Sequence, residues 1–156
     1  MSAVVQQHQP AMPAMVPQHL ELVPGEVHRL SPAQIREAVA SLVQQGKVDV
    51  AVAICEASLA LHPQSEDLLV ISSLVAEMEQ NWPKAEALLV QLAELQSPNT
   101  TSQTWLHLAR VLRCQSKFDD SWLVLDFACS RYPDDAMLKQ ELQAMSELFP
   151  VQLDKA

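Results

Sequence analysis

The stretch from Ser102 to Asp135 reads SQTWLHLARVLRCQSKFDDSWLVLDFACSRYPDD and contains two amphipathic helical patterns. A short polar break separates the two patterns. Pro133 ends the second one, because proline lacks the amide hydrogen that a helix interior needs. The stretch therefore predicts two helices that pack as a pair, each with one apolar stripe of helical spacing. The stripe of the first helix consists of Trp105, Leu108, Ala109 and Leu112.

Two earlier stretches, 66–99 and 32–65, repeat this pattern. The step between these two is about 34 residues, and Thr100 and Thr101 lengthen the step to the unit at 102–135. A fixed step of this size is typical of proteins built from stacked supersecondary units. The matching positions are Ile35, Val39, Leu42, Val48, Ala51, Cys55 and Pro63 in one unit, and Leu69, Ser73, Ala76, Trp82, Ala85, Leu89, Leu92 and Pro98 in the other.

The pattern resembles the tetratricopeptide repeat, which is written W-x2-L-G-x2-Y…A-x3-F…P. Val39 and Ser73 stand where that family usually has glycine, and Ser121 stands where it usually has alanine, so the units are degenerate. The resemblance implies an all-α fold: a right-handed α–α superhelix of three degenerate helix pairs plus a C-terminal capping helix. The family places are filled in the third unit by Trp105, Leu108, Ala109, Leu112, Ser121, Leu125 and Pro133.

The predicted domain organisation has three parts. A repeat domain spans 31–149 and ends in a cap helix at 136–149, because the last repeat of a solenoid otherwise exposes its core face. Residues 1–30 form an N-terminal tail, disordered or partly docked, and 150–156 form a C-terminal tail. Four prolines prevent residues 1–26 from propagating a helix, which favours disorder. The apolar residues of that segment leave open the alternative that it lies along the repeats.

Local signals mark several helix ends. Ser31 and Gln34 form a capping box around Pro32, and Gly46 provides a left-handed stop. Thr100 with Gln103 offers another capping box before the third unit.

Composition excludes several classes of function. The net charge of −9 and the absence of a Lys/Arg cluster disfavour nucleic acid as a partner. The N-terminus lacks the basic start of a signal peptide, and no apolar run reaches the ~20 residues that cross a bilayer, so we expect a cytoplasmic protein without membrane insertion. The spacing of Cys55, Cys114 and Cys129 matches no zinc pattern, and we expect reduced core or groove residues.

No catalytic motif is present, and we expect no enzyme activity, cofactor or metal. His107 and Cys114 share a helical face but lie about two turns, or ~10 Å, apart. That separation is too large for a nucleophile–base hydrogen bond, so His107 is interpreted as a groove or surface residue. The aromatic residues, including Phe127, are assigned to packing, and Glu77, Glu79, Glu86 and Glu94 to a solvated acidic surface.

The resemblance also implies where a partner binds. In the family the first helix of each pair lines the concave side of the superhelix, and ligand peptides commonly lie there. Lys and Asn residues of the kind that clamp a chaperone's C-terminal carboxylates are missing, and the centre is apolar, so an apolar or amphipathic segment with some acidic character is favoured. The alternative is that these apolar residues pack between helices. The candidate partner-binding residues are Arg36, Ala40, Val43, Val70, Ile71, Leu74, Glu77, Leu106, Arg110 and Arg113.

The sequence thus predicts a non-catalytic protein-binding module that acts as an adaptor or chaperone. Its size, acidity and repeat number are similar to those of the small chaperones of bacterial type III secretion, although no motif specific to them is found. The alternative is a structural role, as a scaffold that self-associates into a homo-oligomer or as a subunit of a larger assembly.

Overall fold

A computed structural model describes residues 22–150 of the chain. Within that range the regular elements are all helical. A short 3-10 helix at Pro24–Arg29 precedes the α-helices. The α-helices are α1 (Pro32–Gln44), α2 (Val48–Leu61), α3 (Glu66–Met78), α4 (Trp82–Gln96), α5 (Ser102–Cys114), α6 (Phe118–Arg131) and α7 (Ala136–Leu148).

The helices form antiparallel pairs stacked in chain order. We call α1, α3, α5 and α7 the first helices, and α2, α4 and α6 the second helices. Each first helix packs against the second helix that follows it, and each second helix packs against the next first helix. This order of contacts confirms the predicted repeat of helix pairs with a seventh, closing helix.

Side-chain caps begin five of the seven described α-helices, and the sequence predicted the one at Ser31. Ser31 accepts a hydrogen bond from the Gln34 amide, and Gln34 accepts one from the Ser31 amide, so the capping box at α1 is confirmed. The capping box predicted at Thr100 is wrong. Thr101 caps α5 instead, while Thr100 is buried and its hydroxyl donates to the Ala93 carbonyl at 2.8 Å.

The turn inside each complete pair has the same backbone geometry. Gly46, Gln80 and Ser116 all adopt positive φ, at 75°, 57° and 60°. In each turn the next amide donates back to the helix, as Lys47 does to the Leu42 carbonyl at 2.9 Å. Glycine reaches this left-handed conformation without steric cost, whereas glutamine and serine adopt it only at a steric cost. Gly46 was therefore the only one of these stops that the sequence signalled.

The core is closed where small side chains let helices approach. Ala51, Ala85 and Ser121 are fully buried at equivalent places in the second helices. The hydroxyl of Ser121 donates to the Ala109 carbonyl of α5 at 2.7 Å, so this buried polar group is satisfied. The departure from the alanine usual in the family thus adds a hydrogen bond between α5 and α6.

The chain before α1 packs against the first repeat from Leu22 onward. Leu22 and Val27 are 4% and 1% exposed and join the core that contains Ile35 and Val39. Residues 22–30 were predicted as part of a tail, and here they cover the start of the stack. The remainder of the predicted N-terminal tail, 1–21, and residues 151–156 lie outside the described residues.

Helix α7 closes the other end of the stack. Leu138 and Met145 are fully buried against α5 and α6. Beyond α7, the ring of Phe149 stacks on Phe118 with centroids 3.9 Å apart. The opposite side of α7 carries polar residues that face solvent, as a closing helix requires.

Candidate functional site

The first helices are tied together by side-chain pairs about one repeat apart. Arg36 of α1 contacts Asp67 of α3, with 2.7 Å between Nη1 and Oδ1. Farther along, His107 Nδ1 of α5 lies 3.1 Å from Glu77 Oε1 of α3. These pairs hold α1, α3 and α5 side by side. We call the surface formed by the first helices the inner face.

The centre of the inner face is apolar. Val43, Val70 and Leu74 are half-buried, and Ala40 is exposed. Ala40 and Leu74 occupy the same place in successive first helices, so a partner lying across α1 and α3 would contact both. These four predicted residues all keep part of their surface exposed on α1 and α3.

Two predicted site residues are not on the surface. Ile71 is 8% exposed and Leu106 is 2% exposed, and both belong to the hydrophobic core. Leu106 packs in the cluster that also holds Leu138 and Met145 of α7. Helix α7 packs over this part of α5 and buries the Leu106 side chain. A partner on the inner face would not touch either side chain without displacing core residues.

The predicted arginines are engaged within the chain. Arg110 Nε lies 3.0 Å from Glu141 Oε2, and Arg113 Nη2 lies 2.9 Å from Glu141 Oε1. The Arg110 contact is an aligned hydrogen bond, whereas the Arg113 contact is an ion pair without hydrogen-bond alignment. Glu141 is 8% exposed. A carboxylate at this depth needs both cations, so the arginines stabilise the cap helix rather than standing free for a partner.

Glu77 and Glu86, predicted as solvated acids, are both bound by neighbours. Glu77 is half-buried against His107, whose Nε2 lies 2.9 Å from Gln103 Nε2. Glu86 accepts from Lys117 at 2.7 Å and from Gln115 at 2.6 Å. The hydrogen bond from Lys117 is the main cause of a lowered pKa at Glu86, and Gln115 adds to it against the opposing effect of burial. Both carboxylates therefore link successive repeats.

Residues 22–150 contain no cluster of His, Cys, Asp and Glu able to hold a metal ion. Burial raises the pKa of the thiols of Cys55 and Cys129, which disfavours the thiolate. Cys114 is exposed at the end of α5, unlike the core or groove position predicted for it. No helix in the described range is both long and apolar enough to cross a membrane.

The second helices form a groove that sequence reasoning missed. A cavity of about 640 Å³ opens between α4 and α6, and Trp105 and Leu108 of α5 also line it. Phe127, which was predicted to pack in the core, is 57% exposed there, and its ring meets that of Trp105 edge to face at 5.5 Å. We call this cavity the outer groove; its walls include Val90 and Glu94 of α4 and Phe127 and Arg131 of α6.

A smaller cavity of about 540 Å³ lies between α6 and the end of α7. Phe118, Trp122 and Phe149 line it, and Leu123 at its edge is 65% exposed. The repeat pattern predicted Phe118 and Trp122 as packing residues, and both are half-buried.

The arrangement of helix pairs places this fold among the helical repeat proteins. Comparison with solved structures identifies which repeat fold it is. MamA of MSR-1 matches with a TM-score of 0.65 at 19% identity, over 79% of this chain and 70% of that one. The first TPR domain of Spaghetti (RPAP3), bound to the HSP90 peptide SRMEEVD, matches with a TM-score of 0.66 at 13% identity, over 76% and 93%.

The second TPR domain of human RPAP3, in complex with the HSP70 peptide SGPTIEEVD, matches with a TM-score of 0.63 at 13% identity, over 74% of this chain and 98% of that one. Neither a protein-family model nor a curated protein matches the sequence. Identities this low establish the fold alone. The chain has the tetratricopeptide-repeat fold, as the resemblance of its repeats predicted.

Proposed function

We propose that this chain is a protein-binding module that holds an apolar or amphipathic segment of a partner on its inner face. The observation that carries the proposal is the apolar centre of that face, where Val43, Val70 and Leu74 keep part of their surface in water beside exposed Ala40. Burying a leucine-sized side chain there stabilises a complex by about 1.5–3 kcal/mol. Two structures of the same fold, those of the RPAP3 domains, contain bound peptides.

The charges around the apolar centre refine the expected partner. Arg110 and Arg113 are paired with Glu141, and Arg36 is paired with Asp67. An acidic residue of a partner would compete with carboxylates of this chain, which reduces its contribution to affinity. Apolar side chains therefore supply most of the binding free energy, and the acidic character first expected of the partner is secondary.

An adaptor or chaperone role, a cytoplasmic location and the absence of catalysis are part of the same proposal. Holding an apolar segment of a client is the task that this face suits, because such a segment aggregates when it is left in water. A chaperone of a bacterial secretion system is one form of this role. A self-associating scaffold is the alternative function, and it uses a different surface, argued below.

The test is a selection from a random peptide library displayed on phage, followed by fluorescence anisotropy of the selected peptides with the full chain. Leu74→Glu should weaken binding by at least about tenfold, because it places a carboxylate in the apolar centre. Ala40→Arg, at an exposed position that does not affect the core, should also weaken binding. Leu61→Glu, on α2 and 51% exposed, is the matched control and should leave affinity unchanged.

Circular dichroism of each variant separates lost binding from lost structure, since Leu74 also contacts the core. Peptides that bind equally well to wild type, Leu74→Glu and Ala40→Arg would place the binding site elsewhere and overturn the proposal. A library that yields no binding peptide would do the same.

A further inference from the structure

Two grooves between second helices occupy equivalent places in the repeat, and only one of them is closed. Between α2 and α4, Gln91 Nε2 donates to the Pro63 carbonyl at 2.8 Å, and Lys84 Nζ contacts Glu56 Oε1 at 2.8 Å. These bonds cross from α4 to the preceding repeat. They occupy the surface that the groove would otherwise expose.

Two of the equivalent positions between α4 and α6 are apolar. Counted from the first residue of each second helix, Phe127 stands where α4 has Gln91, and Val90 stands where α2 has Glu56. Phe127 and Val90 are 57% and 40% exposed. Two of the three side chains that bridge the first groove are thus replaced by apolar ones, and Lys84 is replaced by Asp120, so neither cross-link can form in the second groove. An exposed aromatic beside a cavity lined by apolar residues marks an interaction surface.

The charges of the outer groove identify the occupant. Glu94 lies one turn beyond Val90 on α4, and Arg131 lies one turn beyond Phe127 on α6. One wall therefore carries an apolar residue followed by an acid, and the other an apolar residue followed by a base. Within residues 22–150 neither Glu94 nor Arg131 makes an ion pair.

We propose that the outer groove is a dimer interface in which it is covered by the same groove of a second copy of this chain. A two-fold axis along the groove brings α4 of one copy onto α6 of the other. That operation sets Val90 against the partner's Phe127, and Glu94 against the partner's Arg131, twice each. A two-fold interface requires this kind of self-complementary patch. If both walls carried charges of the same sign, the two copies would repel each other.

The dimer leaves both inner faces free, because they belong to the first helices. Two peptide-binding faces then act in one particle, and a partner with two binding segments is held with the added affinity of a bivalent complex. The proposal is independent of the function of the inner face, since the four residues that it pairs across the two-fold axis lie on α4 and α6.

Sedimentation velocity of the full chain over a concentration series tests the proposal. Wild type should show a monomer–dimer equilibrium. Phe127→Glu should raise the dimer dissociation constant by at least about tenfold, because it places a carboxylate in the apolar centre of the interface. Leu61→Glu, outside the groove at 51% exposure, has the same charge change and should leave the equilibrium unaltered.

Charge reversal tests the two-fold arrangement itself. Glu94→Arg and Arg131→Glu should each weaken the dimer by placing like charges opposite each other, and the double variant should restore it by exchanging the two partners. Glu147→Arg on α7 is the control for the change in net charge. The proposal is overturned if wild type stays monomeric at high concentration, if Phe127→Glu dimerises like wild type, or if the double variant is no better than the single ones.

Discussion

The groove between α2 and α4 and the groove between α4 and α6 are built by the same repeat and differ in how they are bridged. Lys84 and Gln91 cross the first groove, with contacts of 2.8 Å each. The second is bridged at one end only, where Lys117 and Gln115 meet Glu86, and it opens into a cavity of about 640 Å³ at the other. A few side chains at equivalent positions thus decide whether a repeat junction is closed or available to a partner.

The junction with the wider groove also has the longer connection. Thr100 and Thr101 extend the step between the second and third units, and Thr100 lines the cavity. Its buried hydroxyl is bonded to Ala93, and its carbonyl accepts a hydrogen bond from the Tyr132 hydroxyl. The insertion is therefore fixed in place on both sides, so the width of the groove is a stable feature of the fold.

The largest loss of unfolding free energy is expected from truncating core leucines on α4 and α6, the helices that border the open groove. Leu89 of α4 and Leu125 of α6 are equivalent positions, 2% and 0% exposed. Truncating either to alanine should lower the free energy of unfolding by about 2–5 kcal/mol, from lost burial and the cavity left behind. Leu89→Ala should cost more, because α4 has a helix pair on each side and its surroundings collapse less.

Urea unfolding followed by circular dichroism measures both values. Leu61→Ala, half exposed on α2, provides the control and should change the free energy of unfolding by less than about 0.5 kcal/mol. A loss from Leu125→Ala that clearly exceeds the one from Leu89→Ala would contradict the comparison.

A smaller effect is expected at the insertion. Thr100→Val keeps the shape of the side chain but removes the donor to Ala93, and it leaves a buried carbonyl without that partner. The free energy of unfolding should fall by about 1–2 kcal/mol. Thr100→Ser retains the hydroxyl and should recover most of that loss. Equal stability of the valine and serine variants, measured by urea unfolding, would show that the hydrogen bond does not fix the insertion.

The sequence predicted the repeat better than the surface. Helical spacing around Trp105 and the step between units were enough to predict the helix pairs, because apolar residues at this spacing form one stripe of a helix. Ser31 and Gly46 gave correct helix ends by local chemistry. Gln80 and Ser116 adopt the same left-handed turn as Gly46 without a sequence signal, because the tertiary fold imposes that conformation on residues that do not favour it.

The site was harder to predict because it depends on contacts between repeats. Arg110 and Arg113 were expected to face a partner, and Glu141, in the closing helix, neutralises them instead. Phe127 fits the helical pattern of a buried residue, yet it lines an open cavity and is largely exposed. Periodicity identifies which residues share a helix face. It does not determine which neighbouring helix, if any, covers that face.

The polar bridge of the closed groove can be removed or transferred. Gln91→Ala deletes the hydrogen bond to Pro63 and should cost about 0.5–1.5 kcal/mol of unfolding free energy. Phe127→Gln places an amide at the equivalent point of the open groove, whose lining includes Ser97 at the place of Pro63. That variant should weaken the proposed dimer while leaving the monomer folded, as judged by sedimentation and thermal melts. Gln91→Ala, matched to it, should leave dimerisation unchanged.

The smallest loss of unfolding free energy is expected at the bridged end of the α4–α6 junction, where Lys117 contacts Glu86. Because Lys117 holds the pKa of Glu86 below its usual range, this interaction stabilises the fold above the ordinary carboxyl pKa of about 4.3 and is lost as the pH falls through the lowered pKa. Lys117→Met should therefore lower the free energy of unfolding by about 0.2–1 kcal/mol at neutral pH, since the side chain of Glu86 is a quarter exposed. The deficit relative to wild type should shrink as Glu86 becomes protonated.

Lys139→Met, at an exposed lysine without an ion pair in residues 22–150, should show no such pH-dependent deficit. A deficit of the same size on both sides of the carboxyl titration would mean that Lys117 acts through packing of its methylene groups and not through its charge.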